Sequence, residues 1–254
     1  MTYLTDTHSH IDMPDFKNIS EVISNAKKTG VEKIIIPSVN RESFEKVIKI
    51  AEEYEGVYCA LGIHPSEAQK TKKEDYEKIK QMAQNKNVVA IGECGLDYYW
   101  DKTFVEEQKG AFLKQIEIAN ALKKPLIVHD RDAHKDTFDL LTENIKDIPV
   151  VMHCFSGSLE FAQICINKGF YIALGGVVTF KNAKKAHQIA EKIPIENLLL
   201  ETDAPYLTPE PYRGKRNEPS YVKFVAEKIA EIRKINFDEV AEATTKNAGK
   251  VFGI

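Results

Sequence analysis

The sequence predicts a single α/β domain, a (β/α)8 TIM barrel over residues 1–254, and three observations predict it. Short β-branched runs alternate with longer amphipathic stretches from end to end. There are eight such runs. They are apolar on both faces, as parallel strands covered by helices are. Eight βα units joined by right-handed crossovers usually close into a barrel, and 254 residues is a typical length for one. An open doubly wound sheet is the alternative; no GxGxxG follows the first run, which counts against its dinucleotide-binding version.

The elements follow in order. The first strand falls on 3–8 (YLTDTH) and leads to a helix-like stretch near 19–29. EKIII at 32–36 precedes 41–54, and VYCAL at 57–61 precedes 73–84. VVAIG at 88–92 precedes 104–122, where Phe112, Ile116 and Ala119 recur at i, i+4 and i+7 among Glu, Lys and Gln. PLIVH at 125–129 precedes 134–145, PVVMH at 149–153 precedes 158–168, and FYIAL at 170–174 precedes 182–192. NLLLE at 197–201 is the eighth strand. The stretch 202–219 is irregular, with Pro205, Pro209, Pro211, Pro219 and a basic cluster. Long loops of this kind in compact domains are often functional. After 218, Tyr221, Phe224, Val225 and Ile229 mark one more apolar helix face.

Composition narrows the function. Hydrophobic residues at 43% against 29% charged are a globular balance and exclude a disordered chain. The net charge of −3 excludes a broad basic surface that coats nucleic acid, so a nucleic-acid substrate would be gripped locally. A steep salt dependence would count against that. Cys59, Cys94, Cys154 and Cys165 show no CxxC spacing and read as reduced thiols. No signal-like start and no membrane-length apolar run is visible, so a cytoplasmic protein is expected, with no membrane or obligate protein partner.

The chelating residues fall at strand ends. His8 and His10 end the first strand, His64 follows the third, His129 ends the fifth and His153 the sixth. Glu93 follows the fourth strand and Asp203 the eighth. In a barrel these positions form one rim, the rim that carries active sites. His134 and His187 lie inside helix-like stretches and read as polar helix residues. Residues two apart on a strand project the same way, so His8 and His10 can reach one ion. By the same parity Asp6 either orients an imidazole or makes a strand-start hydrogen bond. Cys94 and Cys154 neighbour Glu93 and His153 and, facing away, read as packing residues.

Imidazole with carboxylate suits zinc, manganese or iron. Four histidines and two carboxylates exceed the three protein ligands of a simple catalytic zinc site, and two ions would use them well. Glu93 has two oxygens with which to bridge, and Asp203 could both ligate and take a proton from attacking water.

These residues resemble the TatD family of metal-dependent deoxyribonucleases, among the amidohydrolase-like barrels. The resemblance runs from end to end through DTHSHID (6–12), GIHP (62–65), IGECGLDYYW (91–100), PLIVHDRDA (125–133), HCFSG (153–157), ETDAPYLTP (201–209) and RGKRNEP (213–219). It implies a barrel hydrolase with two divalent ions as cofactors, zinc, magnesium or manganese. It implies His8, His10 and Asp203 on one ion, His129 and His153 on the other, and Glu93 bridging. It also implies 3′–5′ exonuclease action on DNA. Some members lack the His-x-His pair; this chain keeps it. The wider amidohydrolase group often has a carboxylated lysine where this chain has Glu93, which weakens the reading of a small-molecule amidase.

A phosphodiester also needs cations. Arg213, Lys215 and Arg216 are candidates from the long loop, and Arg131 is another, since arginine holds phosphate with a two-pronged fork. His64 is read as a substrate contact, because six ligands already suffice. Tyr98, Tyr99 and Trp100 either stack on bases or pack their loop. Two alternatives stand beside the nuclease. One is an ester hydrolase such as a D-aminoacyl-tRNA deacylase, which the same metal chemistry serves. The other is a non-catalytic binding protein with a relict site, against which the intact ligand set argues.

Overall fold

A computed structural model describes residues 3–254. Eight strands pair in parallel in sequence order: β1 (Leu4–Asp6), β2 (Val31–Pro37), β3 (Val57–Leu61), β4 (Val88–Asp97), β5 (Leu126–Arg131), β6 (Val150–Met152), β7 (Tyr171–Leu174) and β8 (Leu198–Leu200). The ring is joined where the first and last strands meet. Thr7 N–H donates to the Leu200 carbonyl at 3.0 Å, and Asp203 N–H donates to that of His8 at 2.9 Å. The fold is the expected (β/α)8 barrel.

Nine helices follow among the described residues: α1 (Ile19–Lys28), α2 (Phe44–Glu53), α3 (Lys73–Met82), α4 (Val105–Leu122), α5 (His134–Asn144), α6 (Leu159–Asn167), α7 (Lys184–Lys192), α8 (Val222–Arg233) and α9 (Phe237–Phe252). On α4, Phe112, Ile116 and Ala119 are fully buried, as their spacing predicts. Strand and helix faces interlock in one large core around the ring. A smaller core lies among the strands' other faces, where Ile35, Val89, Ile127, Val151 and Leu199 meet Ala248, Val251 and Phe252 of α9. None of the described helices is long and apolar enough to cross a membrane.

Two elements depart from expectation. The last segment is two helices, because Lys234 takes a left-handed turn (φ 57°) and Asn236 caps a new start with Glu239. β4 runs five residues past its expected end. Gly92 (φ 144°) and Gly95 (φ 141°) flank Glu93, and each lies against the backbone of β5: a Cβ would meet Ile127 O at 2.6 Å and His129 O at 2.0 Å. The glycines therefore let an irregular strand stay seated beside β5, with the register shifting between Ile91 and Cys94.

Gln115 ties this scaffold to the site. Its Oε1 accepts from Ile63 N–H at 2.7 Å and its Nε2 donates to the Ile63 carbonyl at 3.1 Å, next to His64. Gln115→Ala leaves both buried groups unpaired and should cost about 1–3 kcal/mol. A thermal melt checks this, at about 2–4 °C per kcal/mol for a chain of this size; an unchanged Tm would contradict it.

Candidate metal centre

The strand ends place all seven expected rim residues in one cluster, and Glu93 sits at its middle. Its Oε2 faces His8 Nε2 at 3.3 Å and His10 Nε2 at 3.5 Å. Its Oε1 faces His129 Nδ1 at 2.8 Å, His153 Nε2 at 3.6 Å and His64 Nε2 at 3.8 Å. Two carboxylate oxygens thus divide five imidazoles into two groups. Asp203 Oδ1 lies 3.9 Å from His8, 3.7 Å from His10 and 3.9 Å from His153. The projection of His8 and His10 to one side survives although β1 ends at Asp6; their Nε2 atoms are 3.1 Å apart.

This donor set fits divalent cations. Lone-pair nitrogens and carboxylate oxygens converge in groups whose donor atoms lie within 4.8 Å of one another, including His8–His10–Asp203 and His64–Glu93–His129. The second group includes His64, the residue expected as a substrate contact, beside Glu93 and His129. Its Nδ1 is fixed by the Ser66 hydroxyl at 2.7 Å.

Further carboxylates hold two of the rings. His129 Nε2 meets Asp97 Oδ2 at 2.9 Å, and His153 Nδ1 meets Glu201 Oε2 at 2.9 Å. Each fixes the ring so that its other nitrogen faces Glu93, an arrangement common around metal-binding histidines. Asp97 and Glu201 were not singled out from sequence, although Glu201 stands two residues before Asp203 and Asp97 four after Glu93. Glu201→Gln should lower metal affinity by about 10–100-fold while the protein stays folded. Competition with a chromogenic chelator measures it, and wild-type affinity would refute the orienting role.

The cluster's electrostatics follow from burial and contact. Burial holds His8 well below the ordinary imidazole range and His64 at about 4, leaving both neutral. Burial opposes charge at His129 too, but Asp97 and Glu93 outweigh it and raise that ring to about 9. Glu201 likewise outweighs burial at His153 and raises it to about 10. Burial pushes Asp203 up to about 6, while the imidazoles around Glu93 overcome its burial and hold it well below the carboxylate range.

Other expectations sort by position. Asp6 accepts from His8 N–H at 3.3 Å and from Thr202 N–H at 2.9 Å, so it fixes ligand-bearing backbone and orients no imidazole. Cys94 packs, buried, but Cys154 reaches the cavity and lies within the His153–Asp203 donor group. Strand alternation stops at Met152, and a φ of 43° turns Cys154 out of the expected direction. His134 pairs with Asp130 at 2.7 Å and His187 with the Val178 carbonyl at 2.9 Å, both as polar helix residues.

A cavity of about 1070 Å³ opens over the cluster. Arg131 lines it, together with Lys184 and Lys185, which were not anticipated. Arg213, Lys215 and Arg216 do not line it. Arg213 lies 4.2 Å over the Phe180 ring, Lys215 is 5.3 Å from that of Tyr212, and Arg216 donates to the Asp15 carbonyl at 2.7 Å. These loop cations are engaged with their own surroundings, and the cavity's cations come from β5 and α7.

A parallel eight-stranded barrel whose rim gathers imidazoles and carboxylates around one cavity defines the class of metal-dependent barrel hydrolases. The family model of TatD-related DNases matches residues 5–253, and the chain belongs to that family. It is 45% identical over 253 residues to the Bacillus subtilis protein named uncharacterized metal-dependent hydrolase YabD, covering 99% of both chains. It is 32% identical over 259 residues to the Mycobacterium tuberculosis protein named uncharacterized metal-dependent hydrolase TatD, covering 99% of this chain and 98% of the relative. The crystal structure of YjjV, a TatD homologue from Escherichia coli, superposes with a TM-score of 0.94 at 34% identity, covering 99% of this chain and 98% of that one.

Proposed function

We propose that the chain is a two-ion phosphodiesterase that shortens DNA from its 3′ end. The observation that carries the two-ion reading is the division of five imidazoles between the two oxygens of Glu93. His8, His10 and Asp203 would hold one ion and His129 and His153 the other, with Glu93 supplying an oxygen to each side. Divalent ions, when bound, make water nucleophilic near neutral pH and stabilise charge on the phosphodiester. The chain's own residues do the rest. Asp97 and Glu201 lock the rings of His129 and His153. Asp203 would accept the proton of the attacking water as its oxygen bonds to phosphorus and the P–O bond to the leaving sugar oxygen breaks. Arg131, Lys184 and Lys185 hold the flanking phosphates at the cavity wall. DNA as substrate is supported by the family's description and by the three cations, Arg131, Lys184 and Lys185, that reach the cavity beside its carboxylates.

Purified protein reconstituted with zinc, magnesium or manganese should convert end-labelled single-stranded DNA to a ladder that shortens from the 3′ end. Internal cuts would make it an endonuclease. Hydrolysis of D-aminoacyl-tRNA with no cleavage of DNA would overturn the nuclease reading and leave the ester hydrolase.

A further inference from the structure

Apolar side chains left in water are concentrated at the mouth of the cavity. Tyr99, Trp100, Tyr206 and Leu207 are four of the six exposed large hydrophobic residues among the described ones. Trp100, Tyr206 and Leu207 also line the cavity. Trp100 is the extreme case at 76% exposed, and it is the chain's single tryptophan. A lone exposed aromatic needs no explanation, but this one is held in place.

The bracing is specific. Tyr98 packs the turn from below, donating its hydroxyl to Asp136 at 2.9 Å. Tyr99 meets Trp100 edge to face at 4.9 Å, and the Arg131 guanidinium lies 4.1 Å over Tyr99 and 5.5 Å from the Trp100 ring. Asp97 Oδ1 accepts from Tyr99 N–H at 3.0 Å and Trp100 N–H at 3.2 Å, while its Oδ2 holds His129. One carboxylate therefore fixes both the aromatic turn and a histidine of the reacting cluster. A cation that can take a phosphate stands beside an indole that can take a base, at a set position relative to the metal centre.

We propose that Trp100, braced by Tyr99 and Arg131, is a stacking platform for an unpaired nucleobase of the strand being cut. It rests on the reading of DNA as substrate and adds how the strand is chosen. Every base offers a π-face, so the platform is tolerant of sequence. A base inside a duplex has both faces covered, so the platform selects unpaired ends.

Two measurements test it. On metal-loaded protein, an intact single-stranded end should be cut on the order of tenfold more efficiently, as kcat/KM, than the same strand with abasic terminal residues. Trp100→Ala should bring that ratio close to one, and Trp100→Phe should keep most of it. Independently, a phosphorothioate strand, which resists hydrolysis, should quench the tryptophan fluorescence of the wild type. The abasic strand should quench it little. Fluorescence anisotropy of a label on the strand reports binding separately. A strand that binds without quenching, or an unchanged ratio in Trp100→Ala, overturns the platform and leaves the nuclease standing. A strand that is neither bound nor cut overturns both.

Discussion

Glu93→Ala should abolish hydrolysis, lowering kcat/KM by at least about 10³-fold, while the barrel stays folded. Such a loss corresponds to ~4 kcal/mol of transition-state stabilisation at 1.36 kcal/mol per decade. The reason lies in the position of the carboxylate. Among the described residues Glu93 is the one side chain in contact with His8, His10, His64, His129 and His153, and its oxygens face different groups of them. Without it, both groups lose their shared oxygen donor, and five imidazoles are left without the negative charge between them. The fold should survive, because its side-chain contacts are to cluster imidazoles, while the strand is held by backbone pairing to β3 and β5. Losing a buried charge partner can cost about 3–5 kcal/mol, so a lower melting temperature with a cooperative transition is expected. Circular dichroism and a kinetic assay on one preparation separate the effects. Wild-type turnover would refute the bridge, and His8→Ala combined with Glu93→Ala should add little, since both belong to one unit.

Asp203→Asn should lower kcat by about 10²–10⁴-fold, the range associated with loss of a positioned acid or base. Asparagine keeps an oxygen of similar shape beside His8, His10 and His153 but cannot take a proton. Its Oδ1 lies within 3.7–3.9 Å of His8, His10 and His153, so it stands beside the position where the attacking water would be held. A mere ligand would behave differently. Its loss would appear as weaker metal binding that excess metal restores. Persistence of the defect at saturating metal, with KM little changed, identifies the proton acceptor. Recovery of full kcat at high metal would leave Asp203 as a ligand alone.

Much of this site was legible in the sequence because the barrel turns strand ends into one rim. His8, His10, Glu93, His129, His153 and Asp203 could be picked from their places after apolar runs, and the structure brings them together. What was missed depends on backbone direction. Cys154 was assigned to packing by strand alternation, but alternation ends with β6 and a left-handed residue has no such rule. The extension of β4 lies beyond the apolar run that ends at Gly92, where Gly92 and Gly95 allow close approach to β5. That stretch carries Asp97, so the residue linking His129 to Trp100 went unmarked. The cations were the hardest. Arg213, Lys215 and Arg216 stand near Asp203 in sequence yet are drawn to Phe180, Tyr212 and Asp15, whereas Lys184 and Lys185 sit on an ordinary-looking amphipathic helix whose first turn happens to face the cavity.

The most direct test of the central claim is a titration of metal-free protein with a divalent ion, following cleavage of end-labelled single-stranded DNA against equivalents bound per chain. Activity should be absent without metal and should rise to a plateau at two equivalents in the wild type, with no comparable rise in Glu93→Ala. A plateau at one equivalent, or cleavage by the fully metal-free protein, would contradict a two-ion centre joined by Glu93.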